Sequence, residues 1–148
     1  MSKGPRILFL FAGRAKEKWV EEGLRHYLKL LSGFARVEVK EVSESPKELQ
    51  KLAQKIPADY FVILLDSRGE AYSSEAFAEF LKGKLNGGAS RFCLVVGGSE
   101  GLPEDVKSRA NLRWAFSPLT FPHHFFRVML AEQVYRAFSI LGGRKYHK

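Results

Sequence analysis

Three short stretches of this chain are apolar at almost every position: residues 7–12 (Ile-Leu-Phe-Leu-Phe-Ala), 60–65 (Tyr-Phe-Val-Ile-Leu-Leu) and 92–96 (Phe-Cys-Leu-Val-Val). No other feature restricts the fold as much. A strand with one face in water alternates apolar and polar side chains, so a run that is apolar at both parities is buried on both faces. Each run is too short for an ordinary helix, and each is followed by a stretch with helical spacing. Strands covered on both sides and separated by helices form a parallel sheet at the centre of an α/β, three-layer architecture. The runs also fall far short of the ~20 apolar residues of a membrane span.

The rest of the chain fits that frame. Residues 6–12 form a strand that stops at Gly13. Residues 16–31 carry Trp19, Val20, Leu24, Tyr27, Leu28 and Leu31 at helical intervals among charged residues. Residues 35–42 alternate Val37, Val39 and Val42 with polar neighbours, the pattern of a strand with one open face at the sheet edge. Ser45-Pro46-Lys47-Glu48 is a capping box with proline in first position, predicting a helix to about Lys55. Further strands are predicted at 60–66, 91–96 and 112–116, with helices from Ser73 or Ser74 to Asn86, over 103–110 and over 125–141. There is no repeat or linker, and 148 residues suit one domain, 1–148.

The final helix is apolar around nearly its whole circumference: Phe125, Phe126, Val128, Met129, Leu130, Ala131, Val134, Tyr135, Ala137, Phe138, Ile140 and Leu141. Such a helix must be buried all round, whereas an outer helix of a three-layer domain leaves one face open. Either it threads the domain's own centre or a second copy covers it, and the second option implies a two-fold homodimer.

Charge narrows the partners. The net charge is +8. Lys and Arg outnumber acids 12 to 7 in residues 1–56, trail 6 to 8 in 57–111 and lead 6 to 1 in 112–148. Basic ends around a slightly acidic middle suggest a polyanion met by one surface; a generally basic soluble protein is the plainer alternative. The start of the chain lacks the apolar stretch and cleavage site of a signal peptide, so a cytoplasmic protein is expected. Cys93 is the single cysteine and lies in an apolar run, so the expected state is a buried, inert thiol, with no cysteine zinc site and no metal cluster.

Two loops follow predicted strands: Val95-Val96-Gly97-Gly98-Ser99-Glu100-Gly101-Leu102-Pro103 and Trp114-Ala115-Phe116-Ser117-Pro118-Leu119-Thr120-Phe121-Pro122-His123. At the carboxyl ends of parallel strands, such loops form the ligand crevice of an open α/β sheet. Neither is a phosphate cradle. Gly101 is followed by Leu102-Pro103 where a P-loop needs Lys-Ser/Thr, the G-x-G-x-x-G spacing is absent, and Glu100 would repel a phosphate. A neutral or cationic ligand held by backbone edges suits them, and two ordinary strand-to-helix turns are the bland alternative.

Gly97-Gly98-Ser99-Glu100-Gly101, the run from Ser117 through Pro118, Leu119, Thr120, Phe121 and Pro122 to His123, Arg127-Val128-Met129-Leu130-Ala131-Glu132-Gln133-Val134-Tyr135-Arg136-Ala137, and the terminal Tyr146-His147 together resemble the ribosomal RNA large-subunit methyltransferase H family. The likeness covers essentially the whole chain and is densest from Tyr60 onward. It implies the SPOUT fold with a C-terminal trefoil knot, a homodimer, and S-adenosylmethionine as cofactor. It also implies methylation at N3 of a pseudouridine in 23S ribosomal RNA, as part of the large subunit or ribosome, with no metal and no membrane. Base rates alone would argue against a knot.

The same resemblance places the cofactor against Leu65, Gly97, Phe116, Ser117, Pro118, Leu119, Thr120 and Phe121, with Leu65 and Leu119 sandwiching the adenine. Taking a proton from the base's imide N–H would be helped by a nearby acceptor. Of the four histidines, His26 reads as surface, and His123 and His124 enter the last helix, where His123 could orient the loop or act. His147 matches the family's terminal Tyr-His and is the expected catalytic group, with Tyr146 and Arg127, which could face the second loop or RNA. Arg136 and Glu132 have the spacing of an ion pair. Arg144, Lys145 and Lys148, with Arg14, Lys16 and Lys18, are candidate phosphate contacts. The tail, 143–148, is either a loose terminus or an RNA element. The alternatives to a methyltransferase are a non-catalytic RNA- or ribosome-binding factor and a generic nucleotide-binding protein.

Overall fold

A computed structural model describes residues 4–98, 101–117 and 119–147. Five strands, β1 (Arg6–Ala12), β2 (Arg36–Val42), β3 (Phe61–Ala71), β4 (Arg91–Val96) and β5 (Leu112–Ala115), form one sheet in the order β2-β1-β4-β3-β5. Every pairing is parallel. The apolar runs lie where their two-faced burial requires: β1 and β4 are interior strands, and the alternating β2 is an edge.

Two apolar cores flank the sheet. On one face Ile7, Phe9, Phe11, Ile63, Phe92 and Leu94 meet α1 (Lys18–Leu31), α3 (Ser74–Asn86) and α5 (His123–Leu141). On the other, Leu8, Leu10, Val62, Leu64, Cys93 and Val95 meet the short α2 (Pro46–Leu49), a 3-10 turn (Leu52–Lys55) and α4 (Glu104–Lys107). Opposite parities of each strand feed opposite cores, which is the period of two expected of a doubly covered sheet. Cys93 is fully buried, and burial pushes its thiol up to about 12, which removes the thiolate at neutral pH.

Several boundaries differ from the sequence reading, among them the end of α4, at Lys107 and not at Ala110. Ser45 caps α2 by accepting the Glu48 N–H at 3.3 Å, but the helix ends at Leu49 and resumes as the 3-10 turn. The carbonyls of Ala53, Ile56 and Pro57 turn instead to the Arg109 guanidinium, a partner more than 50 residues away. β3 does not stop at Asp66 but runs to Ala71, with a register break between Leu65 and Glu70, both of which pair with Trp114. Gly69 makes the break possible: a Cβ there would lie 2.7 Å from the Trp114 nitrogen and would collide with the Arg113 carbonyl. α5 starts at His123, two residues early, because Pro122 already has the extended backbone of an N-cap.

α5 is not enclosed by its own chain. Leu130, Ala131, Val134, Tyr135, Ala137 and Phe138 are buried, while Phe125 is 37% exposed and Val128 and Met129 are half-buried. α1 covers part of it closely enough that a Cβ on Gly23 would stand 3.2 Å from Val128. Among the described residues, no helix is long and apolar enough to cross a membrane.

Candidate functional site

The loops leaving β3, β4 and β5 enclose a cleft of about 520 Å³ at the carboxyl end of the sheet. This volume is in the range of small-molecule sites. It gathers Leu65, Gly97, Phe116, Ser117, Leu119, Thr120 and Phe121 on its walls. Pro118 lies outside the described residues, as do Ser99, Glu100 and Lys148. Local chemistry shapes the walls. Ser117 Oγ accepts the Leu119 N–H at 3.0 Å and bends the β5–α5 loop, leaving the Leu119 side chain 67% exposed at the mouth. Gly101 has φ +73°, the left-handed region that favours glycine. A Cβ on Gly97 would lie 2.9 Å from Leu102 Cγ, so Gly97 lets the β4–α4 loop fold against itself.

The cleft also holds residues that the sequence reading did not assign to it, including Asp66, Lys107 and Phe126, beside Trp114 and His123 from the two ends of the second loop. Asp66 follows from the β3 register break, which pushes residues 66–69 out of the ladder, and no local pattern signals it. Its carboxylate stands 3.6 Å from Arg113 and accepts the Arg68 N–H at 2.9 Å. Lys107 is engaged with Glu104 at 3.6 Å. The rest of the lining is apolar side chains, glycines and the hydroxyls of Ser67, Ser117 and Thr120, and among the described residues it holds no cluster of cations for a phosphate. Trp114, stacked on Phe77 at 3.8 Å and 2% exposed, keeps a buried indole N–H with no protein partner.

The three expected catalytic side chains are not gathered at this cleft. Arg127 was expected to face the second loop or RNA; instead it points inward and is 1% exposed. Its guanidinium lies over the Phe11 ring, bonds Glu41 at 2.7 Å and donates to the carbonyls of Ala12 (3.0 Å) and Gly13 (2.6 Å). A buried guanidinium demands such partners, and the open end of β1 supplies them.

Tyr146 and His147 are docked on α5. The Tyr146 hydroxyl donates to Glu132 at 2.6 Å, and its ring packs on Tyr135 at 4.7 Å and under Arg136 at 4.8 Å. Burial, then the Glu132 carboxylate, pushes the phenol up beyond its ordinary range. Glu132 and Arg136 form the ion pair their spacing predicts, at 2.6 Å. His147 accepts from Arg136 on Nδ1 (2.9 Å), so its N–H is on Nε2, facing Glu75 at 3.1 Å. In that arrangement neither ring nitrogen is open to take a proton. Glu132 and Arg136 lie nine and thirteen residues past His123, about 14–20 Å along the helix at ~1.5 Å per residue. Arg144 lies over the Phe34 ring at 4.5 Å, while Arg14, Lys16 and Lys18 are exposed beside the carboxyl end of β1. His26 is exposed, as expected. Among the described residues, no group of three or more potential ligands could hold a metal.

A parallel five-stranded sheet with a loop-built cleft at its carboxyl end is the frame on which comparison with known proteins rests. The family described as "Predicted SPOUT methyltransferase" matches residues 6–147. Two curated relatives are each called Ribosomal RNA large subunit methyltransferase H. The one from Carboxydothermus hydrogenoformans is 40% identical over 157 aligned positions, covering 96% of this chain and 99% of its own. The one from Desulforamulus reducens is 38% identical, covering 97% and 99%. The chain belongs to the ribosomal RNA large subunit methyltransferase H family of SPOUT methyltransferases. A solved structure of the SpoU methyltransferase AviRb from Streptomyces viridochromogenes in complex with the cofactor AdoMet covers 97% of this chain and 63% of its own, at 10% identity and a TM-score of 0.49. That likeness is too distant to bear on the chemistry.

Proposed function

We propose that this protein transfers a methyl group from S-adenosylmethionine to N3 of a pseudouridine in the 23S RNA of the large ribosomal subunit, working as a cytoplasmic homodimer. The observation that carries the reading is the composition of the cleft: mostly apolar and glycine walls with the hydroxyls of Ser67, Ser117 and Thr120, the carboxylate of Asp66, His123 and, among the described residues, one lysine, Lys107, in place of a cluster of cations. That set fits a flat neutral adenine and a positively charged sulfonium and does not fit a nucleotide's phosphates. In this reading Leu65 and Leu119 flank the ring, and the turns at Gly97 and at Ser117 supply backbone groups for its edge. Bound there, the cofactor supplies an activated methyl group. The chain's own contribution is to exclude water with Phe116, Phe121 and Phe126, to hold methyl and acceptor in line, and to receive the imide proton. The SPOUT reading carries with it the trefoil knot in the C-terminal part of the sheet.

The open face of α5, with Val128 and Met129 half-buried and Phe125 exposed, supports the dimer. A tail docked on α5 meets substrate either by swinging free or beside the cleft of that second copy. Radiolabelled methyl transfer tests the proposal, run on naked 23S RNA, on large subunits and on whole ribosomes from a strain lacking the modification. Transfer to one pseudouridine is expected, and RNA binding without transfer would establish the non-catalytic alternative.

A further inference from the structure

A second group of ionisable residues sits at the β1–β4 side of the same cleft. It joins the loop after β1, the segment after β2, the loop after β4 and the first turn of α5. Its centre is Glu44. A Cβ on Gly13 would lie 2.6 Å from the Glu44 Oε1, and a Cβ on Gly98 would collide with the same carboxylate. Two glycines from two neighbouring strands thus leave a notch that the carboxylate fills. Gly98 is itself a wall of the cleft, and so is His123, the first residue of α5. The rings of His123 and His124 lie 4.2 Å apart, and His124 Nδ1 is held by Glu17 at 2.9 Å.

Resting on the methyltransferase reading above, the geometry points to His123 as the group that takes the imide proton, with the Glu44 carboxylate, packed against Gly98 of the same cleft, as a positioning residue that supports its cationic form. In the step, the N3–H proton passes to an unprotonated ring nitrogen of His123. The electron pair left on N3 forms the new bond to the methyl carbon, and the S–CH3 bond breaks with its pair staying on sulfur. The histidine then releases the proton to solvent.

Three features of the chain support this assignment. His123 lines the cleft, whereas both ring nitrogens of His147 are engaged by Arg136 and Glu75. His123 begins a helix, where the dipole disfavours an imidazolium, and it is partly desolvated, so it is neutral and ready to accept at pH 7. The ionisable groups around it are His124 and Arg127 on α5, Glu44 after β2 and Glu17 before α1. Burial lowers its pKa most, His124 and Arg127 add to that, and the Glu44 carboxylate leads the opposition.

The test has two arms, both on the full chain. In the first, the histidine ring protons are titrated by NMR without ligand, with His123 assigned from His123→Asn. It should titrate below an ordinary histidine, and Glu44→Gln should lower it further; a His123 titration indifferent to Glu44→Gln removes Glu44 from the assignment. In the second, methyl transfer to ribosomes is followed from pH 6 to 9, with S-adenosylmethionine affinity measured in parallel by calorimetry. His123→Asn should bind the cofactor within about threefold of wild type and transfer methyl about 100-fold more slowly at pH 7, the scale of general-base catalysis. The gap should close as pH rises towards the imide's own ionisation, roughly tenfold per pH unit. A loss that is equal at every pH, or no loss, overturns the assignment while leaving the methyltransferase reading intact. A wild-type protein that transfers no methyl at any pH overturns both.

Discussion

The cleft lies at the first turn of α5, the tail docks on the middle of that helix, and the two are built from opposite materials. The cleft is made of bends, glycines and apolar walls, and among the described residues Asp66, Lys107 and His123 are its only ionisable lining. The tail is a closed polar network: Tyr146 on Glu132, Glu132 on Arg136, Arg136 on His147 and His147 on Glu75. A site that must admit a ligand keeps side chains such as Leu119 exposed at its mouth. A segment that must hold a conformation satisfies its own groups. In the proposed division of labour the cleft serves the cofactor and the tail serves the RNA.

The largest expected effect falls on neither region but on the joint beneath the cleft. Arg127→Met would leave Glu41 and the carbonyls of Ala12 and Gly13 without their cation. Removing one partner of a buried ion pair costs about 3–5 kcal/mol, so denaturant midpoints should fall sharply, with the loss in stability and not in selective binding. If the variant is as stable as wild type, the inward placement of this side chain is wrong.

Next in size is assembly. Met129→Glu puts a charge on the open face of α5, and sedimentation at micromolar concentration should change from dimer to monomer. A wild-type monomer under those conditions refutes the dimer. Leu119→Asp sharpens the contrast from the cleft side. The side chain is 67% exposed, so thermal stability should stay within a degree or two, while S-adenosylmethionine affinity falls about tenfold or more by calorimetry. Unchanged affinity would take Leu119 out of the site.

The smallest effect separates the tail by pH. Hydrogen bonding to His147 and to backbone holds the Glu75 carboxyl below its ordinary value. A carboxyl depressed in the folded state contributes stability above its ordinary pKa and loses it as pH falls through the depressed value. The tail should therefore release at acid pH, seen as narrowing of the Tyr146 ring resonances, before the cleft changes. Release of the tail only on raising the pH would reverse the assigned sign.

Much of the frame was readable residue by residue. Two-faced apolar runs marked β1 and β4 as interior, the alternation of Val37, Val39 and Val42 marked β2 as an edge, and turn chemistry located both loops of the cleft. What escaped depended on partners remote in sequence. The extension of β3 needs Trp114 across a register break, and the early end of α2 involves Arg109. The inward turn of Arg127 depends on Glu41, 86 residues away, and the placement of His147 depends on Glu75, 72 away. Tyr146-His147 looked like a loose or RNA-seeking end because nothing local shows that Glu132 and Arg136 receive it.

The division between cleft and tail is tested most directly by a chain ending at Arg144, assayed for two properties in one preparation: S-adenosylmethionine affinity by calorimetry and methyl transfer to ribosomes lacking the modification. The account predicts affinity near that of the full chain and transfer reduced by orders of magnitude. Transfer at the full-length rate, or a cofactor affinity that collapses with the tail, would contradict it.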